Sequence, residues 1–285
     1  MKKGDLEPLF TSWIEAQRLE EKAENTLKSY KKKVSRFIEW LPADEEITKD
    51  LMLQYKSYLL EELPAETTIN SNIVAINKFI SDIGLDKGLK LKELRIQTEF
   101  SNEDNLSIAD YKRLMRKAKE NGDMMLYYVM KILTYTGIRI GELKYFTVEN
   151  LNSNYIKVCN KGKYREIILR GDLLRELKRY AKQENIKTGY LFPSKEVKGK
   201  MIAASTIWRH LKKIAGKARV NKSKVHAHSF RHLFANLYLI EFGGSELELA
   251  DIMGHSSLET TRKYTRSTSA QKKSQLEQMK ITEKK

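Results

Sequence analysis

Apolar residues recur every three to four positions through residues 1–97, as they do along amphipathic helices. Four such stripes follow one another, and each predicts a helix with one buried face. The stripes start at Leu6, Leu27, Leu51 and Ile73. Thr48 suits the N-cap of the third helix, Thr67 or Thr68 opens the fourth, and Gly84 suits its C-cap. Four amphipathic helices with short connections predict a compact bundle as the first domain.

A polar stretch without periodicity, residues 98–106, predicts a linker to a second domain over 107–285. Ser107 and Asp110 have the spacing of a capping box, so a helix is expected to begin there. A continuous apolar run over 124–136 predicts a second helix, buried in the core of this domain.

Residues typical of β-strands flank a polar loop and predict an antiparallel hairpin, with strands 155–158 and 165–169 around the loop 160–164. Helical periodicity returns beyond the hairpin. The helices predicted there cover 172–185, 205–218, 228–242, 245–253, 258–265 and 268–280. The chain therefore predicts a mainly α fold: an N-terminal four-helix bundle and a larger, mostly helical domain with a small antiparallel sheet.

The net charge is concentrated in the predicted second domain. The chain carries 53 Lys and Arg against 37 Asp and Glu, a net charge of +16. Residues 1–100 hold 16 basic and 18 acidic side chains, a net of −2, whereas residues 101–285 hold 37 and 19, a net of +18. Such a field attracts polyanions, and nucleic acid is the commonest of these inside a cell. A merely solubilising surface is the alternative that charge alone leaves open.

Cysteine content and hydropathy limit the kinds of site and the cellular locations to be expected. A single cysteine, Cys159, excludes an intrachain disulfide and an all-cysteine zinc site. The segment Met1–Leu9 has no apolar leader. The most apolar stretch, Met124–Ile138, contains Lys131 and is shorter than the roughly 20 residues of a membrane-spanning helix. We therefore expect a cytoplasmic protein without membrane contacts.

Motifs of nucleotide-dependent and metal-dependent enzymes are absent from the sequence. It has no G-x-x-x-x-G-K-[ST], no G-x-G-x-x-G after a strand and no H-E-x-x-H. His228 and His232 have a metal-ligand spacing, but no acidic or cysteine neighbour offers a third ligand, and Arg231 between them repels a cation. We therefore predict neither a cofactor nor a metal.

Two basic residues stand in short segments that suit phosphate chemistry. Arg139, in the stretch TGIRIGEL, follows the predicted end of the central helix, where a guanidinium fork can bind a phosphate with two hydrogen bonds. Pairing of Arg139 with Glu142 is the alternative. Lys161 lies in the hairpin loop, where most lysines are simply exposed to solvent.

Two later segments add further candidate groups. His228 and Arg231, in HAHSFRH, are three residues apart, so a helix places them on one face, and His232 extends the same helix start. Tyr264 follows His255 by nine residues in a polar and basic stretch with no obvious apolar site for its ring. A half-buried structural tyrosine is the ordinary alternative.

In this order, the segments resemble the tyrosine recombinase family, also called phage-type integrases, and in particular its Xer-like and transposon-encoded members. The resemblance covers about residues 104–285 and rests on TGIRIGEL, NKGKYREIIL, HAHSFRH and IMGHSSLETTRKYT. The first domain resembles the family's helical core-binding domain, although it carries no diagnostic motif. The resemblance implies a site-specific DNA recombinase that works through a 3′-phosphotyrosyl intermediate, without metal or ATP.

The resemblance also implies roles for six catalytic residues. They are Arg139, Lys161, His228, Arg231, His255 and Tyr264. Tyr264 would attack the phosphodiester while the two arginines and His255 hold its non-bridging oxygens, on which charge builds up. A tyrosine has a pKa of about 10, so it needs a base, and His228 is the candidate. Lys161 would protonate the leaving 5′-oxygen.

Some of these assignments leave alternatives. The family loop commonly has glycine before the lysine, and here that residue is Asn160, so Lys163 is a second candidate for the acid. Glu142 is expected to orient Arg139 or to cap the following turn. His232 is expected to have a structural role.

The resemblance extends to partners. It implies duplex DNA with an inverted-repeat core site, a nucleoid location, and a homotetramer in which the C-terminal helix docks on a neighbouring subunit. One basic face of the second helix and one loop residue are candidate DNA contacts. These residues are Lys28, Lys31, Lys32, Lys33, Arg36 and Lys163. For these positions, the alternative is a basic face exposed only to solvent. For the function, the alternatives are a type IB-like topoisomerase or a catalytically inactive DNA-binding architectural protein.

Overall fold

The structure is a computed structural model, and it describes residues 1–85, 88–96, 105–160, 163–241 and 243–254. The chain divides into two compact units, Met1–Glu99 and Phe100–Lys285. The mainly helical fold with a small antiparallel sheet is confirmed. The assignment of a core-binding domain, a linker and a catalytic domain to particular ranges stays a prediction.

All four predicted helices are present in the first unit. They are α1 (Lys3–Leu19), α2 (Glu24–Trp40), α3 (Lys49–Glu62) and α4 (Glu66–Asp82). The Thr48 hydroxyl accepts a hydrogen bond from the Leu51 amide at 3.3 Å, which confirms it as the N-cap of α3. The prediction for α4 is wrong by one or two residues: Ala65 is the N-cap, and Glu66 opens the helix, where a carboxylate favours the positive end of the helix dipole.

The core of the first unit is rich in aromatic rings. Phe37 and Tyr55 are fully buried and meet edge to face, with ring centroids 4.9 Å apart. Trp13 contacts Phe79 in the same way at 5.2 Å, and its indole nitrogen donates to the Asp82 carboxylate at 2.7 Å. The buried indole N–H therefore has a hydrogen-bond partner, and the cost of burying an unpaired donor is avoided.

The second unit surrounds one apolar helix. Its elements are α5 (Ile108–Glu120), α6 (Met124–Thr136), β1 (Tyr155–Asn160), β2 (Lys163–Ile168), α7 (Gly171–Gln183), α8 (Ala204–Lys217), α9 (Ala227–Asn236) and α10 (Glu246–Met253). Most of α6 is buried, as predicted for a continuous apolar run. The capping box of α5 is confirmed, because the Ser107 hydroxyl accepts from the Asp110 amide at 3.0 Å.

The hairpin is longer than predicted. Its strands pair without interruption from Tyr155↔Ile168 to Asn160↔Lys163, so most of the predicted loop 160–164 belongs to the strands. Polar residues there do not end the pairing because the hydrogen bonds of a β-ladder join backbone groups. The two faces of the hairpin differ in exposure. Thus Tyr164 is 83% exposed, whereas Ile167 on the other face is 2% exposed.

The predicted helix 228–242 is present, but its last turn is not α-helical. α9 stops at Asn236, and the chain continues as a π-helical turn over Leu237–Glu241. Three 3₁₀ turns were also not predicted, at Ile140–Tyr145, Glu149–Asn152 and Lys222–Lys224. Such short turns have no apolar period for a sequence to reveal. The predicted helices 258–265 and 268–280 lie outside the described residues. Within the described residues, no helix is long and apolar enough to cross a membrane.

Replacement of Phe37 by alanine tests the aromatic core of the first unit. Phe37 is 0% exposed, so we expect Phe37→Ala to lower the free energy of unfolding of this unit by about 3–5 kcal/mol. Leu60→Ala is the control: Leu60 is 48% exposed, and its removal should change stability by less than about 0.5 kcal/mol. Urea unfolding followed by tryptophan emission in a Trp208→Phe background measures this, because Trp13 and Trp40 are the other tryptophans. Equal effects of the two variants would contradict the assigned core.

Candidate active site

The two predicted catalytic arginines converge on one backbone oxygen at the end of α10. Arg231 Nη2 donates to the Met253 carbonyl at 2.8 Å, and Arg139 Nη1 donates to the same carbonyl at 3.4 Å. Arg139 Nη2 also donates to the Gly254 carbonyl at 3.0 Å. The last carbonyls of a helix lack partners within the helix and carry its negative partial charge, so they attract cations. The fold thus brings together two guanidinium groups that are 92 positions apart in the chain.

Arg139 is held from its backbone as well as from its side chain. The residue is the N-cap of the 3₁₀ turn Ile140–Tyr145, and its amide donates to Glu142 Oε2 at 2.7 Å. Glu142 Oε1 lies 3.6 Å from Arg139 Nη1. Glu142 therefore caps the turn and pairs with Arg139, and both expected roles for this residue are present together. The Arg139 side chain remains 39% exposed, so a ligand can reach it from solvent.

Arg231 is buried to an unusual degree for an arginine. It lies on α9, is 1% exposed, and donates through Nη1 to the Gly137 carbonyl as well as through Nη2 to Met253. These two bonds run to the ends of two different helices, α6 and α10. The plane of the guanidinium group is therefore fixed by the fold before any substrate is bound.

Gly137 is required at this point for two separate reasons. It ends α6 in the left-handed region, with φ of +61°, which residues with a Cβ rarely adopt. A Cβ built on Gly137 would also lie 2.3 Å from Cδ1 of Phe234, on α9. The close approach of α6 to α9 at this glycine lets the Gly137 carbonyl reach Arg231.

His228 lies in the first turn of α9, one turn before Arg231, and is exposed. Its ring contacts that of His232 edge to face, with centroids 4.5 Å apart. His232 is half-buried. Among the residues that the structure describes, no group of three or more His, Cys, Asp or Glu side chains is arranged to hold a metal ion.

Three predicted catalytic residues, Lys161, His255 and Tyr264, lie outside the described residues. For Lys161 and His255 the preceding residue is described: Lys161 follows the last residue of β1, and His255 follows Gly254. Lys163, the alternative acid, is the first residue of β2.

The basic residues of α2 do not all have the same environment. Lys28, Lys31 and Lys32 are exposed, and Arg36 is half-buried. Lys33 points to the neighbouring helix α4, where its ammonium group donates to the Ser71 hydroxyl at 2.5 Å. Partial burial lowers the pKa of Lys33. Lys33 is therefore part of the contact between two helices, and the other four residues form the free basic face.

Arg165 was not predicted as a site residue. On β2 it pairs with Val158, and its side chain, only 13% exposed, donates from Nη2 to Glu142 at 2.7 Å and from Nη1 to the Ile252 carbonyl at 2.5 Å. The alternation of the strand offered a signal, because Arg165 shares a face with the buried Ile167. A charged residue on the buried face of a strand requires a partner.

The family model for the phage integrase family matches residues 104–271 of this chain. The chain belongs to the phage integrase family. It is a tyrosine-type site-specific recombinase, and its relatives include Xer-like and transposon-encoded members. The predicted family is thereby confirmed.

Individual members of the family match nearly the whole chain. The TnP I resolvase of Bacillus thuringiensis is 27% identical, with 96% of this chain and 99% of the resolvase covered. The tyrosine recombinase XerA of Pyrococcus furiosus is 28% identical, with 96% and 93% covered. The Tn1549 transposon integrase, in complex with circular intermediate DNA, has a similar fold, with a TM-score of 0.75, 16% identity, and 97% and 99% of the two chains covered.

Replacement of Gly137 by alanine tests the packing beneath Arg231. We expect Gly137→Ala to destabilise the second unit by about 1–3 kcal/mol, because the new Cβ meets both an unfavourable φ and the Phe234 ring. Gly141→Ala is the matched control, since no atom lies within 4 Å of the Cβ position at Gly141. Thermal unfolding followed by circular dichroism measures the difference, at about 2–4 °C per kcal/mol. A melting temperature equal to that of Gly141→Ala would contradict the close approach.

Proposed function

We propose that this recombinase cuts and rejoins duplex DNA through a 3′-phosphotyrosyl bond to Tyr264, without metal or ATP. The observation that carries the proposal is the convergence of Arg139 and Arg231 on the Met253 carbonyl. A pair of guanidinium groups fixed at one point suits a phosphodiester, whose single negative charge is shared by two non-bridging oxygens.

The arginines would act mainly on the transition state. Negative charge builds on the non-bridging oxygens as the phosphorus becomes five-coordinate, and donors that are already in place need no reorganisation at that moment. Arg231 is fixed by two backbone carbonyls, and Arg139 is fixed by Glu142 and by α10. His255, which follows Gly254, would add a further donor to the same oxygens.

Two proton transfers complete the cleavage step. The Tyr264 oxygen forms a bond to phosphorus and gives its proton to His228, while the bond from phosphorus to the 5′-oxygen breaks and that oxygen receives a proton from Lys161. Each transfer is reversed when a 5′-hydroxyl of a second strand attacks the phosphotyrosyl bond. The covalent bond conserves the free energy of the phosphodiester, so no ATP is required. Lys163 remains the alternative acid.

The partner would be duplex DNA with an inverted-repeat core site, bound by a homotetramer in which the C-terminal segment docks on a neighbour. The names of the similar proteins, a resolvase and a recombinase, support DNA as the substrate. The free basic face of α2, formed by Lys28, Lys31, Lys32 and Arg36, supports DNA contacts by the first unit. A nucleoid location follows from such binding.

Trapping of a covalent adduct tests the proposed chemistry. The DNA site is first recovered by selection from a random pool, where two-fold pairing of protomers predicts an inverted repeat. A nicked duplex of that site releases the fragment beyond the cut, so the 3′-phosphotyrosyl adduct accumulates. We expect this adduct with the wild-type chain in EDTA and without nucleotide, and we expect none with Tyr264→Phe.

Tyr155→Phe is the control for the adduct, because Tyr155 is 45% exposed on β1 and lies outside the proposed machinery. This variant should form adduct at the wild-type rate. A wild-type chain that binds its site but forms no adduct would contradict the proposal and favour an inactive architectural protein. Relaxation of supercoiled DNA that lacks the site would instead favour a topoisomerase.

Charge reversal on α2 tests the DNA contact of the first unit. We expect the double variant Lys28→Glu, Lys32→Glu to weaken site binding and to reduce the slope of log affinity against log salt by about 0.9 for each phosphate that the protein no longer neutralises. The control is Lys2→Glu, Lys22→Glu, which changes the net charge equally at exposed positions outside α2. Fluorescence anisotropy at several salt concentrations measures both. Equal effects of the two double variants would mean that only the overall charge matters.

A further inference from the structure

Arg165 connects three segments that are distant in the sequence. It lies on β2 of the hairpin, binds Glu142 in the turn after Arg139, and binds the Ile252 carbonyl at the end of α10. The two bonds use the two terminal nitrogens of one rigid guanidinium group. The relative positions of the hairpin, the turn and the helix end are therefore fixed at a single side chain.

One carboxylate serves two arginines in this cluster. Glu142 is 3% exposed, and its Oε2 accepts from the Arg139 amide and from Arg165 Nη2, each at 2.7 Å. Burial lowers the pKa of Arg165, and the nearby Arg139 lowers it further, but the Glu142 carboxylate opposes both effects. A buried carboxylate needs a cation, so removal of Arg165 would leave Glu142 with Arg139 as its only described ionic partner.

Gly254 gives Arg165 its path to the helix end. A Cβ on Gly254 would lie 2.6 Å from Cδ and 2.7 Å from Nε of Arg165. Gly254 also ends α10 with φ of +64°. The side chain of Arg165 therefore packs directly over the backbone of the residue that precedes His255.

We propose that Arg165 is a positioning residue for strand cleavage, holding the hairpin that carries Lys161 in register with Arg139 and with the end of α10. The inference rests on the proposed function, because it needs Lys161 to be the acid. Lys161 is four positions before Arg165 in the hairpin sequence, and Glu142 is three positions after Arg139. An error of about 1 Å in the placement of a proton donor can cost about 100-fold in rate.

The proposal distinguishes arginine from lysine at this position. A lysine has one nitrogen at its end and lacks the planar fork that lets Arg165 reach Glu142 and the Ile252 carbonyl through different nitrogens. Arg165→Lys keeps the charge beside Glu142 but removes one of the two connections. It therefore separates the positional role of Arg165 from its charge.

The test measures single-turnover cleavage of the selected site with two leaving groups. One substrate has the normal 5′-oxygen, and the other has a bridging 5′-sulfur, which leaves as a thiolate without protonation. We expect Arg165→Lys to slow cleavage of the oxygen substrate about 100-fold and to cleave the sulfur substrate at close to the wild-type rate. Lys161→Ala should show the same rescue after a reduction of about 10²- to 10⁴-fold.

Two further variants keep the result independent of folding. Arg165→Met combined with Glu142→Gln removes both charges together, so a folded protein is expected even if Arg165→Met alone does not fold. Lys157→Met is the matched control on the exposed face of the hairpin and should cleave both substrates normally. Circular dichroism and site binding should be unchanged in Arg165→Lys.

The outcomes separate this inference from the function on which it rests. Equal reductions on the oxygen and sulfur substrates, or no reduction on either, would overturn the positioning role while wild-type cleavage upholds the proposed function. A Lys161→Ala variant that sulfur does not rescue would overturn the route through Lys161. Absence of any adduct from the wild-type chain would overturn the proposed function, and the positioning role with it.

Discussion

Three guanidinium groups from distant parts of the chain bind the last carbonyl oxygens of a single helix. Arg165, Arg231 and Arg139 donate to the carbonyls of Ile252, Met253 and Gly254. Three cations this close repel one another, and the repulsion is strong where water is excluded. The helix end supplies partial negative charge and unfilled acceptors, and Glu142 supplies a full negative charge. These negative charges offset the repulsion among the three arginines.

The need to place these arginines at carbonyl oxygens accounts for where the helices of the second unit end. α6 stops at Gly137 so that its carbonyl meets Arg231, and the chain turns at once to present Arg139. α10 stops at Gly254, where the arginines gather. The apolar core of the second unit holds α6, and a separate cluster of Ala235, Leu249 and Met253 holds α10. The contacts of the three arginines with backbone carbonyls are made where these helices end. Helix ends are where the backbone has donors and acceptors to spare.

Features governed by neighbouring residues could be predicted from the sequence. The Thr48 cap, the capping box at Ser107 and the apolar α6 each follow from residues within one or two helical turns. The motif series also includes Arg139 and Arg231, whose side chains the fold brings to the same carbonyl oxygen. The extent of the hairpin was missed because a β-ladder joins backbone groups, so the polar composition of 160–164 did not mark the ends of the strands at Asn160 and Lys163.

Features governed by distant residues could not be predicted. Nothing within the stretch HAHSFRH indicates that Arg231 is buried, because its partners are carbonyls at Gly137 and Met253, which carry no side-chain signature. For Arg165 the strand alternation indicated burial but not the second acceptor, which is a backbone oxygen on α10. The π-helical turn after Asn236 likewise has no local pattern that marks it. A sequence motif cannot indicate which backbone carbonyl accepts a hydrogen bond, because every residue has one.

The contact between Gly254 and Arg165 makes two positions, 89 residues apart, dependent on each other. A side chain at 254 has no room while an arginine occupies 165. A shorter residue at 165 would no longer pack against the backbone at 254. The positive φ at 254 would still favour glycine there. The two positions would therefore have to change together, or in a fixed order with 165 first. In a redesign of this chain, the residues at 165 and 254 therefore have to be chosen together.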